Sequence, residues 1–269
     1  MTECKGERLD AYLVAVGYAG GRDKAKDLVA SGQVLVNGAP VTKASRRIVS
    51  TDVVECRAPR EKYVGRGGLK LEKAISAANL ALTDAVAMDV GASTGGFTDC
   101  LLQAGAAHVY AVDVGHDQLH ERLRSDPRVT VLEGTDVRSD RLQDTVAARS
   151  IAFCSVDVSF VSLQNVLPAI LPYLSADATL VCLIKPQFEA GRAAVGKRGV
   201  VKDRKVHYRV LAEQLALFTS LQMPPVWVGH SPITGGEGNI EYLAVLRRMG
   251  ESAFIDPAAV ADAAFAELA

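Results

Sequence analysis

Cysteine is scarce in this chain of 269 residues, and long apolar runs are missing. No C-x-x-C pair occurs, which argues against a disulfide scaffold and a zinc ribbon and is typical of a reducing compartment. No apolar run approaches the ~20 residues that cross a bilayer, and the start, MTECKGERLDAYL, is acidic where a signal peptide is basic. We therefore expect a cytoplasmic protein without a membrane span. The five cysteines are Cys4, Cys56, Cys100, Cys154 and Cys182.

Positive charge is concentrated in the first quarter of the chain. Residues 1–75 carry 14 Lys and Arg against nine Asp and Glu, whereas residues 76–269 carry 16 against 22. A basic segment joined to an acidic body suggests a module that binds a polyanion such as nucleic acid. A chance patch of exposed charge has the same composition, so the charge alone does not decide between the two.

The first 58 residues have the pattern of a small α+β domain. RLDAYLVAVGY places Leu9 and Leu13 on one helical face, and RDKAKDLVASG predicts a second helix that stops at Gly32. QVLVNGAPVTKAS predicts two strands joined by an Asn-Gly turn, and residues 52–56 predict a third strand.

These residues resemble the S-four RNA-binding domain, in which the second helix and the hairpin present cations to RNA. The resemblance lies in Arg8-Leu9-Asp10, Arg22-x-x-Ala25, Gly32 and Val34-x-Val36-Asn37-Gly38. One departure is Gly21, where the family often has a capping serine; a missing cap costs roughly 0.5–2 kcal/mol and leaves the basic face in place. The alternative is that the cations are solvated surface charges. The candidate RNA-binding residues are Arg8, Arg22, Lys24, Lys26, Lys43, Arg46, Arg47 and Arg66.

From residue 67 onward, predicted strands and helices alternate. This alternation is typical of an α/β domain with a mostly parallel sheet. The polar stretch before it predicts a linker at 59–66, between domains at 1–58 and 67–269. Strands are predicted at 85–90, 108–114, 129–133, 151–157, 178–185, 226–229 and 240–246. Helices are predicted from residue 67, at 96–104 and 117–123, within 137–148, at 161–171 and 205–220, and in the tail.

Small residues follow the first strand of this region, in Asp89–Thr98. Glycines there let the backbone approach a ligand, and the N–H groups of the next helix point toward it. The segment fits neither G-x-G-x-x-G nor a P-loop. On its own it is compatible with a dinucleotide, a phosphate or a structural turn. The candidate cofactor-binding residues in it are Gly91, Ala92, Ser93, Thr94, Gly95, Gly96 and Phe97.

Carboxylates follow the next two strands of the predicted sheet. Asp113 ends the second strand, where it can accept hydrogen bonds from both hydroxyls of a ribose. Asp136 follows the third strand, where an adenine amino group can be recognised. Three successive strand ends of this kind fit S-adenosylmethionine better than a dinucleotide, although a turn with surface acids explains any one of them.

Four charged residues are expected at the same edge of the sheet. Lys185 ends an apolar strand, which is unexpected because lysine is rarely buried without a partner. Asp157 ends the fourth strand, where it is also a candidate cofactor contact. Lys70 lies on the preceding helix, and Glu241 opens the last strand. Two structural salt bridges are the alternative, but buried ion pairs contribute little to stability.

The ordered motifs of this region resemble the TlyA family, over essentially the whole chain. The matching segments are Lys70, GASTGGF, Asp157-x-Ser159-Phe160, Lys185-Pro186-Gln187-Phe188-Glu189 and Gly238-Asn239-Ile240-Glu241-Tyr242. That family joins an S-four domain to an FtsJ-like methyltransferase domain. The resemblance implies a Rossmann-like class I S-adenosylmethionine-dependent methyltransferase fold. It also implies 2′-O-methylation of cytidine in ribosomal RNA (16S, 23S or both), with ribosomal subunits as partners. The Lys-Asp-Lys-Glu set of FtsJ-like enzymes corresponds to Lys70, Asp157, Lys185 and Glu241.

Removal of a ribose hydroxyl proton requires a base. Lys185, with its pKa lowered by a dry site and by Lys70, is the expected base. Asp157 and Glu241 are expected to hold the two lysines. No metal is expected, because the five histidines are scattered without ligand spacing.

Two other functions are considered. Relatives also named haemolysins suggest a membrane-active protein, which would need an inserting segment that the sequence does not show. A catalytically silent ribosome-assembly factor is the second alternative, and the intact four-residue set argues against it.

Overall fold

The chain folds as two units, Met1–Arg66 and Gly67–Ala269. The computed structural model describes residues 6–59, 61–249 and 252–268. The cysteines within these ranges are free thiols. Cys4 lies outside them.

The first unit has the predicted helices and hairpin. Asn37 and Gly38 have φ angles of 54° and 74°, as a two-residue hairpin turn requires. The helices bury Leu9 and Leu13 in a core shared with Val34 of the sheet. Strand β2 lies between β3 and β5, and a separate two-residue pair joins β1 to β4. The elements are β1 (Glu7–Arg8), α1 (Leu9–Ala15), α2 (Arg22–Ala30), β2 (Val34–Val36), β3 (Ala39–Pro40), β4 (Arg47–Ile48) and β5 (Val54–Cys56).

The segment predicted as a linker contacts the first unit. The Glu61 N–H donates to the Gly17 carbonyl at 2.8 Å. Tyr63 and Val64 are buried. Residues 61–66 therefore have defined contacts, and the assignment of a linker stays a prediction.

The second unit contains a seven-stranded sheet in the order β11-β12-β10-β9-β6-β7-β8. Its neighbouring strands are parallel except where β12 pairs with β10 and β11. The mostly parallel sheet is thus confirmed. The strands are β6 (Val86–Val90), β7 (His108–Val112), β8 (Val129–Leu132), β9 (Ile151–Val156), β10 (Leu174–Ile184), β11 (Pro225–His230) and β12 (Tyr242–Arg247).

Except for the first and the last, the helices of this unit lie between strands, as the alternation predicted. A single 3-10 turn follows α7 at Leu171–Tyr173, and another lies at Arg192–Ala194. The helices are α3 (Gly67–Ala77), α4 (Gly96–Gln103), α5 (Glu121–Arg124), α6 (Asp140–Thr145), α7 (Leu163–Ile170), α8 (Pro186–Glu189), α9 (Arg204–Ser220) and α10 (Pro257–Leu268).

The sheet positions a site at one edge. The chain runs from β6 to β7 and β8 on one side and returns to β9 and β10 on the other. Ligands bind outside the carboxyl ends of parallel strands at such a reversal of strand order. The carboxyl-terminal parts of β6, β9 and β10, at residues 87–90, 153–156 and 180–184, are buried, which explains their mostly apolar sequence.

The predicted helix at 117–123 is wrong, because α5 spans only Glu121–Arg124. The carboxylate of Glu133, after β8, accepts hydrogen bonds from the backbone N–H groups of Asp117, Gln118 and Leu119. A distant acceptor therefore satisfies these donors in a loop conformation. Apolar spacing within the segment does not reveal that acceptor.

Candidate active site

A cavity of about 480 Å³ lies at the carboxyl ends of β6 to β9. This volume falls within the range of small-molecule and cofactor sites, roughly 300–1,000 Å³. The predicted cofactor residues that line it are Gly91, Ser93, Asp113, Asp136 and Asp157.

The remaining residues of the glycine-rich loop have other surroundings. Ala92, Gly96 and Phe97 are buried. Gly95 has a φ of 97°, and a side chain there would collide with Leu123 of α5. Together with Thr94, these four residues do not line the cavity, and their contact with a cofactor stays a prediction.

Gly91 permits a close approach between two strand ends. Its φ is 84°, and a Cβ at this position would collide with the Asp157 carbonyl. The Asp157 N–H also donates to the carbonyl of Val90, at 2.9 Å. Glycine is therefore required here for the loop after β6 to pack directly on the loop after β9.

Asp113 ties the glycine-rich loop to the end of β7. Its Oδ2 accepts from the Ser93 N–H at 2.8 Å, and its Oδ1 accepts from the Gly115 N–H at 2.7 Å. Ser93 Oγ in turn donates to Gln118 Oε1. Sequence reasoning missed Gly115 and Gln118 as cavity residues, and it placed Gln118 within the helix predicted at 117–123.

Asp136 lines the cavity but already has a partner. Arg138 donates to both carboxylate oxygens, at 2.8 and 2.6 Å. These bonds lower the pKa of the Asp136 carboxyl to about 2. The Asp136 carboxylate thus lies at the cavity as expected, and a contact between it and adenine stays a prediction.

The four charged residues form two ion pairs in which both partners are mostly buried. Lys185 Nζ lies 2.6 Å from Asp157 Oδ1, with side chains 10% and 19% exposed. Lys70 Nζ lies 2.6 Å from Glu241 Oε2, with side chains 10% and 3% exposed. Each lysine therefore has a carboxylate as its ion-pair partner.

The strand register brings the two pairs together. Ile184 at the end of β10 is opposite Tyr242 at the start of β12. Lys185 and Glu241 are the next residues outward on these antiparallel strands, so they are cross-strand neighbours. Gln187 Nε2 donates to Glu241 Oε1 at 3.2 Å. The structure thus assembles all four residues at one edge of the sheet.

Asp157 and Ser159 connect the ion pair to the cavity. Both residues line it. Lys185 Nζ donates to Ser159 Oγ at 3.0 Å. The amine of Lys185 therefore contacts two residues of the cavity wall.

Glu189 joins the segment after β10, which follows Lys185, to the segment after β9, which follows Asp157. Its Oε2 accepts from Ser162 Oγ at 2.6 Å and its Oε1 from the Leu163 N–H at 2.9 Å. Gln214 of α9 donates to it as well. Burial raises the pKa of this carboxyl. Sequence reasoning quoted Glu189 within a motif without a role, because its partners are distant in sequence.

Two aromatic rings stand beside Lys185. Phe160 is 91% exposed, and its ring centroid lies 5.0 Å from that of Phe188. Lys185 Nζ lies 5.9 Å from the centre of the Phe188 ring. Exposed aromatic faces are the surfaces on which proteins stack unpaired bases. Both residues belong to motifs that support the resemblance to the TlyA family, and this was the only indication of them in the sequence analysis.

The first unit exposes all eight predicted RNA-binding cations. Lys26 pairs with Asp23, and Arg8 pairs with Asp10. Arg47 donates to the carbonyl of Gly6. As predicted, α2 begins at Gly21 without a side-chain cap. The exposed basic face is present, and RNA binding by it stays a prediction.

Comparison with known proteins assigns both regions. Residues 63–248 match the FtsJ-like methyltransferase family, and residues 7–54 match the S4 domain. The chain is 40% identical over 247 residues to the 16S/23S rRNA (cytidine-2′-O)-methyltransferase TlyA of Mycobacterium tuberculosis, covering 91% of each chain. It is 41% identical to Hemolysin A of Brachyspira hyodysenteriae, over 88% of this chain and 98% of that protein.

A solved structure has the same architecture. It is named as a hemolysin, from Streptococcus thermophilus, and superposes with a TM-score of 0.74 at 39% identity. The alignment covers 98% of this chain and 97% of that one. The chain is thus an S4-containing member of the FtsJ-like methyltransferases. Within that class it belongs to the TlyA family. No helix in the described ranges has the length and apolar character to cross a membrane.

Proposed function

We propose that the protein transfers a methyl group from S-adenosylmethionine to the ribose 2′-hydroxyl of a cytidine in ribosomal RNA. The observation that carries the proposal is the Lys185–Asp157 ion pair, since Asp157 both lies 2.6 Å from the lysine amine and lines the cavity. The TlyA relative of Mycobacterium tuberculosis, at 40% identity, supports the choice of substrate. An enzyme with this substrate works in the cytoplasm, where ribosomes are.

The residues around the cavity fit the methyl donor. Its volume and its three carboxylates after successive strands suit a ligand with a ribose, an adenine and a cationic centre. Asp113 would hold the ribose hydroxyls, and Gly91 and Ser93 would contact the rest through the backbone. When bound, S-adenosylmethionine supplies a methyl group that the positive sulfur already activates.

The two ion pairs would then take part in removal of the 2′-hydroxyl proton. In its neutral form, the Lys185 amine would accept the proton of the 2′-hydroxyl as the hydroxyl oxygen bonds the methyl carbon and the carbon–sulfur bond of the donor breaks, which leaves S-adenosylhomocysteine. The ammonium that forms is held by Asp157 and Ser159. Lys70 and Glu241 fix the adjacent strand end and keep a positive charge beside the oxygen. General bases contribute about a hundredfold or more, and positioning supplies much of the remainder.

The test is to incubate the purified protein with methyl-labelled S-adenosylmethionine and separate small and large ribosomal subunits. The labelled nucleotide is then mapped in each RNA. We expect label on the 2′-oxygen of a cytidine and none with Asp157→Asn. Label on a base, or no label in either subunit, would refute the proposal.

A further inference from the structure

A basic loop lies between α8 and α9 of the methyltransferase unit. Residues 191–205 contain six of the 16 Lys and Arg of residues 76–269, but only one of the 22 Asp and Glu. Residues 76–269 as a whole carry a net negative charge, whereas this loop carries a net positive charge. Its cations are Arg192, Lys197, Arg198, Lys202, Arg204 and Lys205.

Three of these cations share one concave surface. Lys197, Arg198 and Lys202 line a depression of about 530 Å³, and all three are exposed. Within residues 6–59, 61–249 and 252–268, no ion pair involves any of them. Arg204, in contrast, pairs with Asp262 at 3.0 Å.

The two carboxylates of this depression do not neutralise it. Asp203 caps α9, where its Oδ1 accepts from the Lys205 N–H at 2.9 Å. Glu237 lies on the opposite side, in the turn Gly236–Gly238. Three positive charges therefore face solvent against one carboxylate without a structural bond.

A buried asparagine holds the loop against the catalytic edge. Asn239 is 4% exposed. Its Oδ1 accepts from the Val201 N–H at 3.2 Å, and its Nδ2 donates to the Gly199 carbonyl at 2.9 Å. Asn239 stands two residues before Glu241, the partner of Lys70. The loop is thus fixed, through its backbone, to the strand end that carries a reactive carboxylate.

We propose that Lys197, Arg198 and Lys202 bind phosphates of the RNA strand that carries the target ribose. This inference rests on the proposed function. Asn239 holds the loop close to the strand end of Glu241, so the flanking phosphates of an RNA strand whose ribose reaches Lys185 have this loop as a basic neighbour. Phosphate contacts of this kind set the register of a nucleic acid without reading its sequence. The methyltransferase unit therefore contributes its own share of substrate affinity.

The experiment compares the wild-type protein with Lys197→Glu/Arg198→Glu/Lys202→Glu and with Arg149→Glu. Arg149 is an exposed cation just before β9, at the opposite edge of the sheet, and serves as the control for a single charge reversal away from the loop. Binding to unmethylated ribosomal subunits is measured against salt concentration, together with methyl transfer and binding of S-adenosylmethionine.

We expect the triple variant to bind subunits about tenfold or more weakly. The slope of log K against log salt should fall by about 2–3, because each lost phosphate contact removes about 0.7–0.9. Affinity for S-adenosylmethionine and the rate at saturating subunits should be unchanged, and Arg149→Glu should match the wild type.

An unchanged affinity and salt slope in the triple variant would overturn the inference. So would loss of binding to vesicles of anionic lipid with subunit binding intact, since the loop would then serve a membrane. If the wild type binds subunits but methylates none, the proposed function fails, and the binding data still decide the role of the loop.

Discussion

Each unit contains a lysine–carboxylate pair of nearly the same length, in opposite environments. Lys26 and Asp23 of the S4 unit are 2.7 Å apart, with side chains 55% and 96% exposed. Lys70 and Glu241 of the methyltransferase unit are 2.6 Å apart, with side chains 10% and 3% exposed. Water screens the first pair and is largely excluded from the second. Solvent access, and not distance, separates a surface proposed to attract a polyanion from a site proposed to move a proton.

The difference has an energetic meaning. An exposed pair is screened by salt and contributes little to stability. A buried pair loses several kcal/mol of hydration per ion, which its attraction barely offsets. A gain in stability therefore does not explain why two such pairs lie at the end of β10 and β12. A chemical role of the two pairs would explain it.

The largest effect is expected on removal of one buried partner. Glu241→Ala leaves the charge of Lys70 buried without its carboxylate, which should lower the free energy of unfolding by about 3–5 kcal/mol. Urea denaturation measures it. Glu213→Ala, which breaks the half-exposed pair with Arg209, is the control and should change nothing measurable. Equal stability of both variants would contradict the contrast between the two environments.

The pH dependence of stability should identify a second buried carboxylate, Asp89. Burial raises its pKa from 3.8 to about 6, although Thr98 and Ser155 donate to it. Below about pH 4 it is protonated in both states, whereas above about pH 6 the folded state carries a buried charge. Stability from this group therefore falls as pH rises from 4 to 6.

Asp89→Asn should remove this cost. The variant should gain stability relative to the wild type between pH 4 and 6, by up to about 3 kcal/mol, and keep the gain above pH 6. Thermal or urea unfolding across this range measures the difference. A difference that does not vary with pH would show that Asp89 is ionised at little cost.

A smaller effect is expected at the cofactor cavity. Asp113→Ala removes a carboxylate that binds the loop at Ser93 and is proposed to bind the ribose. Each charged hydrogen bond lost costs roughly 1.5–3 kcal/mol, so affinity for S-adenosylhomocysteine should fall about tenfold to a hundredfold. Calorimetry provides the value, with Asp113→Asn as an intermediate. Unchanged affinity in the alanine variant would remove Asp113 from the site.

The smallest effect is expected for an exposed cation of the S4 unit. Arg22→Glu should weaken binding to ribosomal subunits several-fold and lower the salt slope by roughly 0.7–0.9. Cofactor affinity and unfolding free energy should not change, because the side chain is exposed. Asp27→Asn, on the same helix, changes the charge by one unit in the opposite direction and should not lower the affinity. A loss of stability in Arg22→Glu would mean that the residue is structural.

Local patterns predicted much of this protein. The Asn37-Gly38 turn and the alternation after residue 67 depend on neighbouring residues and were confirmed. Asp157, Lys185 and Glu241 were predicted from their places at strand ends, and Lys70 from its place on the preceding helix. Features that depend on distant partners were missed. The Glu133 carboxylate binds backbone N–H groups of residues 117–119, which are not helical as predicted. The hydrogen bonds of Glu189 and those of Asn239 to the basic loop also join residues that are distant in sequence, so no local pattern indicates them.

The central claim is that the Lys185 amine removes the hydroxyl proton, and single-turnover methyl transfer by Lys185→Arg tests it most directly. Arginine keeps the positive charge beside Asp157 but stays protonated and cannot act as a base. Lys73→Arg, one turn beyond Lys70 in α3, is the matched control. We predict that Lys185→Arg binds S-adenosylmethionine normally and transfers methyl about a hundredfold more slowly or worse. A rate near that of the wild type would contradict the claim and leave Lys185 an electrostatic role only.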